Sequence, residues 1–154
     1  MKKRDAYDLE FNDEMTGFWF ESTGTKGVIE KIIEFKYYRK NRWNLAFGDV
    51  KGDEWEDNKT SDNGDMREVL QTVVNAVHLF TKRYPGRKVY IEPLDRQRKI
   101  LYNRIFQQKW EEIKPLFTVR GISFTGEKEL SEKYHPRKTY DAFVLHRKQP
   151  TFGQ

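Results

Sequence analysis

The first fifty residues alternate apolar and polar side chains, which is the pattern of strands with one buried face. Ile33, Phe35 and Tyr37 share one face of such a segment, while Glu34 and Lys36 share the other. Gly24 to Gly27 and Lys40 to Arg42 supply turn residues between the segments. The pattern therefore predicts four strands, over residues 6–11, 16–23, 28–39 and 43–48.

The second part of the chain changes to helical spacing. Apolar residues recur every three or four positions from Met66 to Phe80, so they gather on one face of a helix that follows Asn63 or Asp65 as its N-cap. A short strand over 88–92 comes next, and Asp95 is placed to cap a second helix from Arg96 to about Ile113. The inward stripe of this second helix is formed by Tyr102, Phe106, Trp110 and Ile113.

Two further strands complete the predicted set. They cover residues 117–124 and 140–146, and the polar segment 125–139 between them is predicted as a loop. The order β-β-β-β-α-β-α-β-β indicates an α+β fold with a mixed sheet, in which the central strand–helix–strand unit is a right-handed parallel crossover. We expect a single α/β domain over 1–147 and a frayed tail over 148–154.

The composition is typical of globular proteins that fold without covalent cross-links. Aromatic residues make up 15% of the 154 positions, and there is no Cys, which excludes disulfides, thiol nucleophiles and cysteine-ligated metals. No apolar run approaches the roughly 18 residues of a membrane span, and the start of the chain does not have the pattern of a signal peptide. We therefore expect a cytoplasmic protein that does not enter a membrane, with its oligomeric state open.

Charge is distributed unevenly. Seven acids and two lysines lie between Asp49 and Asp65, so this predicted acidic loop opposes the net charge of +5 of the whole chain. A basic body can bind nucleic acid or another polyanion, although excess Lys and Arg also serve solubility. The acidic loop itself either binds a cation or caps the helix that follows it.

The densest basic cluster lies in the first part of the second helix. Its members are Arg96, Arg98, Lys99 and Arg104. Cations at a helix N-terminus oppose the helix dipole, so their presence there indicates an anion-binding site, with Arg offering two parallel hydrogen bonds to a phosphate. The alternative is that Arg96 and Lys99 pair internally with the acidic loop.

Aromatic side chains on the predicted strands extend this hypothesis. Trp19, Tyr38 and Trp55 are the ones expected to be exposed, where they would stack on unpaired bases or form a protein interface. No His pair has metal-ligand spacing and no nucleophile motif occurs, so the sequence predicts no metal and no catalytic residue.

Several segments resemble a family of small uncharacterised bacterial proteins. They are Leu45–Asp49, Asn63–Asp65, Val69–Leu70 and Arg96–Tyr102. The resemblance extends to about Ile122 and implies no activity.

From Trp43 onward, the order of elements also resembles the second half of the GCN5-related N-acetyltransferase superfamily. Leu101-Tyr102 is similar to the helix of that superfamily in which a Tyr protonates the departing thiolate of coenzyme A. This resemblance implies acetyl-CoA as cofactor, Tyr102 as the catalytic acid and Tyr140–Leu145 as the last strand.

We therefore expect a non-catalytic binding module on an acetyltransferase-like scaffold, without a cofactor. Its ligand would be nucleic acid, another phosphate-bearing molecule or a protein partner. The alternatives are an acyl-CoA-dependent N-acyltransferase and a partner protein of a bacterial defence or toxin–antitoxin system.

Overall fold

Nine strands and three helices make up the part of the chain that the computed structural model describes, residues 5–51, 54–56 and 63–149. They form two compact units, the first from residues 1–36 and 45–83 and the second from residues 37–44 and 84–154. The elements are β1 (Glu10–Phe11), β2 (Gly17–Gly24), β3 (Gly27–Arg39), β4 (Arg42–Lys51), β5 (Glu54–Glu56), α1 (Met66–Arg83), β6 (Lys88–Ile91), α2 (Arg96–Gln108), α3 (Trp110–Ile113), β7 (Phe117–Thr125), β8 (Lys128–Lys133) and β9 (Ala142–Arg147).

The first unit packs α1 on one face of its strands. β1 pairs with β2 and β2 with β3, both antiparallel, and β3 is followed in the sheet by β4, whose end pairs with β5. Alternation along β2 and β3 buries Phe18 and Phe35, and the ring of Phe35 stacks on Phe80 of α1 with centroids 4.2 Å apart. The predicted strand 6–11 is shorter than expected, since only Glu10–Phe11 pairs.

Charged and polar side chains are also buried in this unit. Asp49, which the sequence placed in an acidic loop, lies in β4, where its carboxylate accepts from the Lys31 ammonium at 2.6 Å. Asp65 precedes α1 as predicted, but its buried carboxylate accepts from the Ser22 hydroxyl and from Tyr7 Oη. Paired in this way, the buried groups avoid the penalty of desolvation without a partner.

The second unit contains both strand orientations. The first residues of β4 run parallel to β6, and the further pairs β6–β9, β9–β7 and β7–β8 are antiparallel. This confirms the predicted α+β class with a mixed sheet. α2 covers β9 through Phe106, whose ring stacks on Phe143 at 4.1 Å.

Two predictions for the second unit are wrong in detail. The helix predicted over 96–113 is interrupted at Lys109, which caps both α2 and α3. The segment 125–139 contains β8, which pairs with β7 through a turn at Gly126, where φ is +64°. β8 was missed because all of its side chains except that of Glu129 are exposed, so it lacks the apolar alternation that marks a half-buried strand.

The end of the described chain is held by hydrogen bonds. Lys148 N donates to Leu116 O, and Gln149 Nε2 donates to Pro85 O at 3.1 Å. The rest of the predicted tail, residues 150–154, lies outside the described residues. Among the described helices, none has the length and apolar character needed to cross a membrane.

Candidate functional site

A cleft of about 840 Å³ opens in the second unit beside α2. Its walls come from the segment that follows β6, from the end of β7 and from the residues just before β9. The side chains that α2 contributes lie three or four positions apart, so they occupy one face of the helix. They are Arg96, Lys99, Ile100, Asn103, Arg104 and Gln107.

The helix begins where the sequence predicted. Asp95 has extended backbone angles, and its Oδ1 accepts from Arg98 N at 2.8 Å, which satisfies one of the free amides of the first turn. The first turn of α2 contains no acid, so the cations at its N-terminal end are not balanced within the helix. Their partners must be sought elsewhere in the fold.

The structure divides the four predicted anion-binding cations. Arg98 does not line the cleft, and its guanidinium lies 3.4 Å from Asp95 Oδ2. Lys99 lines the cleft, but its ammonium forms an ion pair with Asp141 at 2.5 Å. Internal pairing is therefore observed for Lys99, with Asp141 as the partner.

Arg96 and Arg104 are the two cations that remain. Both line the cleft and are exposed, and neither has an ion-pair partner among the residues that the structure describes. They are eight residues apart in α2, which corresponds to about 12 Å along the helix axis. Most of the predicted acidic loop lies outside the described residues, and so does any contact that it makes.

The carboxylates that line the cleft are already engaged. Three of them are present, and each accepts a hydrogen bond or forms an ion pair within the unit. The pairs are Glu92 with Tyr90 Oη at 2.5 Å, Asp95 with Arg98 and Asp141 with Lys99. Arg96 and Arg104 therefore form no described ion pair with any of these three carboxylates.

Asn103 is a site residue that sequence reasoning missed. It is 4% exposed, its Nδ2 donates to Lys99 O and Tyr140 O, and its Oδ1 accepts from Tyr140 N at 2.8 Å. These bonds fix the chain just before β9 against α2. The available signal in the sequence was that Asn, a weak helix former, stands inside the predicted helix, three positions before the buried Phe106.

Asp141 is the second residue that was missed. Its Oδ2 accepts from Phe124 N at 2.7 Å while Oδ1 holds Lys99. The hydrogen bond from Lys99, together with that from the Phe124 amide, lowers the pKa of Asp141 below its ordinary value. The carboxylate therefore stays ionised and keeps the ammonium of Lys99 in place.

The rim of the cleft is apolar. Leu94, Ile100 and Phe124 all line it and are 56%, 52% and 43% exposed, respectively. Large apolar side chains that remain open beside unpaired cations suit a ligand with both an anionic and an apolar part.

Tyr102 lies in α2 but does not line the cleft. Burial raises the pKa of its phenol, while the charge of Arg98 opposes the shift. The phenol is therefore protonated at neutral pH, as an acid must be. Its role as the acid of acyl transfer stays a prediction.

Of the three predicted aromatic contacts, two have side chains that the structure describes, and these two belong to different units. Trp19 belongs to the first unit, is half-buried and donates from Nε1 to Glu10 Oε2 at 2.6 Å. Tyr38 belongs to the second unit and is 56% exposed, with its ring stacked on that of Tyr90. The side chain of Trp55 lies outside the described residues.

Within the described ranges, no three His, Asp or Glu side chains come together as metal ligands. No curated protein and no solved structure matches the sequence. The resemblance to the acetyltransferase superfamily therefore stays a prediction, whereas the resemblance to an uncharacterised family has a direct counterpart. Residues 3–148 match the model of DUF6934, a family of unknown function, and the chain belongs to that family.

Proposed function

We propose that this protein is a non-catalytic binding module that holds a phosphate-bearing ligand in the cleft beside α2. One observation supports the proposal above all others. Arg96 and Arg104 line the cleft without a described ion-pair partner, whereas Asp95 and Asp141 are ion-paired and Glu92 accepts a hydrogen bond from Tyr90. An anion that enters the cleft meets two guanidiniums that form no described ion pair.

The spacing of the two arginines restricts the ligand. A single phosphate does not span the roughly 12 Å between their backbone positions without both side chains bending towards it. An extended anion, such as a nucleoside diphosphate or triphosphate, would contact Arg96 and Arg104 with separate groups. Its base would then lie against Leu94, Ile100 or Phe124, where apolar surface is exposed.

The acyl-CoA-dependent alternative uses the same class of ligand, because coenzyme A carries phosphates on an extended chain. It also requires Tyr102 to reach the thiolate of the departing coenzyme A. Tyr102 does not line the cleft, so the binding module is the better supported proposal. A partnership within a defence or toxin–antitoxin system stays a prediction, since no described contact bears on it.

Thermal unfolding with added ligands tests the proposal. The panel contains ATP, ADP, inorganic pyrophosphate and acetyl-CoA. A ligand bound only by the folded protein raises the free energy of unfolding by about 2.7 kcal/mol at 100 times its Kd. For a chain of this length, that corresponds to a rise in Tm of roughly 5–10 °C. We expect a rise with ATP or ADP and a smaller one with pyrophosphate, which lacks the base.

Variants then assign the binding to the cleft. Arg96→Gln and Arg104→Gln are each expected to raise the Kd of the ligand about tenfold or more, because hydrogen bonds to charged groups contribute about 1.5–3 kcal/mol. Arg137→Gln is the control, since it removes an exposed cation of the same unit that does not line the cleft. If the control weakens binding as much as Arg96→Gln, or if no compound changes Tm, the proposal is wrong. Hydrolysis of acetyl-CoA or acyl transfer from it would favour the transferase.

A further inference from the structure

Two connections of the second unit meet at the start of β6. β3 ends at Arg39 and β4 begins at Arg42, with Lys40 and Asn41 at φ values of +52° and +58°, as a two-residue hairpin turn requires. Asn41 Nδ2 donates to Gly86 O at 2.7 Å, and Asn41 O accepts from Lys88 N at 3.2 Å. Residues 37–43 and 84–88 are thereby held together, and we call them the turn surface.

The turn surface contains five cations and no acid. Arg42 forms an ion pair with Glu129 at 2.6 Å. Arg39, Lys40 and Lys88 form no ion pair with any carboxylate in the part of the chain that the structure describes. Cations that share one surface without carboxylates between them repel one another, and a polyanion relieves that repulsion.

Aromatic rings lie among these cations. The guanidinium of Arg87 is 3.9 Å from the ring centroid of Trp43 and 3.6 Å from that of Tyr84, so two rings hold it. The ring of Tyr37 contacts Trp43 with centroids 5.6 Å apart and is 60% exposed. An open ring supported by a packed neighbour is a ready platform for stacking.

We infer that the turn surface binds single-stranded nucleic acid. The exposed ring of Tyr37 stacks on an unpaired base, while Arg39 and Lys40 contact the phosphates on either side. Proteins that bind single strands combine these two elements, a basic path for the backbone and aromatic rings for the bases. A duplex does not fit this arrangement, because its base faces are already stacked.

This surface is separate from the cleft beside α2. Lys88 begins β6 and Glu92 follows its last residue, so the two lie about 13 Å apart along the strand. No residue of the turn surface lines the cleft. The inference therefore does not depend on the proposed function, and either can fail alone.

Fluorescence anisotropy with a fluorescein-labelled oligothymidylate of 12 nucleotides tests the inference. Tyr37→Ala is expected to raise the Kd about tenfold, since stacking on one base has that order of effect. Tyr37→Phe keeps the ring and is expected to stay within twofold of the native protein. An unlabelled duplex of the same length and inorganic polyphosphate are expected to compete poorly.

Salt dependence tests the cations. The double variant Arg39→Ala with Lys40→Asn removes two phosphate contacts and uses Asn because that residue tolerates the positive φ of Lys40. The slope of log K against log salt is expected to decrease in magnitude by about 1.4, which is 0.7 for each contact with a single strand. Lys133→Ala with Arg137→Ala is the matched control, because it removes two exposed cations of the same unit outside the turn surface.

Circular dichroism melting establishes that each variant is folded before its Kd is interpreted. Absence of saturable binding to the oligonucleotide would overturn the inference. The same holds if Tyr37→Ala binds as tightly as the native protein, if the control pair loses as much affinity as the turn-surface pair, or if polyphosphate competes as well as unlabelled oligothymidylate. Loss of strand binding on Arg96→Gln with Arg104→Gln, with Tyr37→Ala unaffected, would move the strand to the cleft.

Discussion

Gly121 in β7 leaves the space that the ring of Tyr140 fills, so we predict that Gly121→Ala destabilises the protein strongly. A Cβ built on Gly121 lies 2.3 Å from Cδ1 and from Cε1 of Tyr140. Ordinary van der Waals contacts begin at about 3.4 Å. The added methyl group therefore requires a displacement of about 1 Å, which the neighbours must supply.

Tyr140 cannot move by that amount without losing hydrogen bonds. Its Oη donates to Glu132 Oε1 at 2.7 Å and accepts from His135 N at 3.1 Å, while its backbone N is held by Asn103. Overpacking of a buried site typically costs about 1–3 kcal/mol, and each lost hydrogen bond adds about 1 kcal/mol. Reduced freedom of the unfolded chain offsets roughly 0.4–1 kcal/mol of this cost.

The net loss is about 3 kcal/mol, which lowers the Tm by roughly 6–12 °C in a chain of this length. Urea unfolding monitored by circular dichroism measures the free energy, and calorimetry measures the Tm. Gly86→Ala is the matched control, because a Cβ there meets no atom within 4 Å and the backbone is outside the positive-φ region. We expect that control to change the stability by less than about 1 kcal/mol.

A double-mutant cycle identifies the clash as the cause. In a Tyr140→Ala background, Gly121→Ala is expected to cost less than about 1 kcal/mol, because the ring that it strikes is absent. The reasoning is refuted if Gly121→Ala is as mild as Gly86→Ala. It is also refuted if the cost of Gly121→Ala is the same with and without the Tyr140 ring.

Three further predictions concern buried or paired polar groups. Lys31→Met leaves Asp49 buried without its ammonium and should cost about 3–5 kcal/mol in urea unfolding, with a smaller loss when Asp49→Leu is added; equal losses in both variants would contradict this. Asp141→Asn should lower the free energy of unfolding by about 1 kcal/mol at pH 7, because the amide that replaces the carboxylate carries no charge to pair with the Lys99 ammonium. Since the folded pKa of Asp141 is lowered, its contribution is present above the unfolded value of about 3.9 and is lost as the pH falls through the folded value, so the stabilities of the two proteins should converge as the pH falls below the folded value. Tyr134 Oη is buried without a hydrogen-bond partner among the described residues, so Tyr134→Phe should leave the stability unchanged or raise it by up to about 1 kcal/mol, and a clear loss in thermal unfolding would contradict this.

The elements that bury a periodic apolar face could be predicted from the sequence. β2, β3 and α1 follow such faces and lie close to the predicted ranges. β8 could not be predicted in this way, because it is held by backbone pairing with β7 while nearly all of its side chains are exposed. The interruption of the second helix at Lys109 has no proline or glycine to mark it, since the local sequence Gln108-Lys109-Trp110 favours a continuous helix.

The burial of charged residues could not be predicted from the sequence, for a different physical reason. A carboxylate is assigned to the surface by default, because burial without a partner is costly. Asp49 and Lys31 are 18 positions apart, and nothing local shows that two neighbouring strands bring them within 2.6 Å. The sequence therefore predicts that the acidic segment is one solvated loop, although its first residue, Asp49, lies in the core of the first unit.

The basic cluster of α2 shows which property of the site could not be predicted from the sequence. Local spacing was enough to find four cations in the first part of one helix, but the charge available to a ligand depends on which of them are already paired. Lys99 is neutralised by Asp141, 42 positions away, and only the fold that brings β9 beside α2 decides this. Arg96 and Arg104 line the same cleft from the same helix as Lys99, but they have no such partner among the described residues. An anion site therefore has to be predicted from each cation together with the carboxylates that lie near it in the fold. A count of basic residues along the chain overestimates the positive charge that a phosphate would meet.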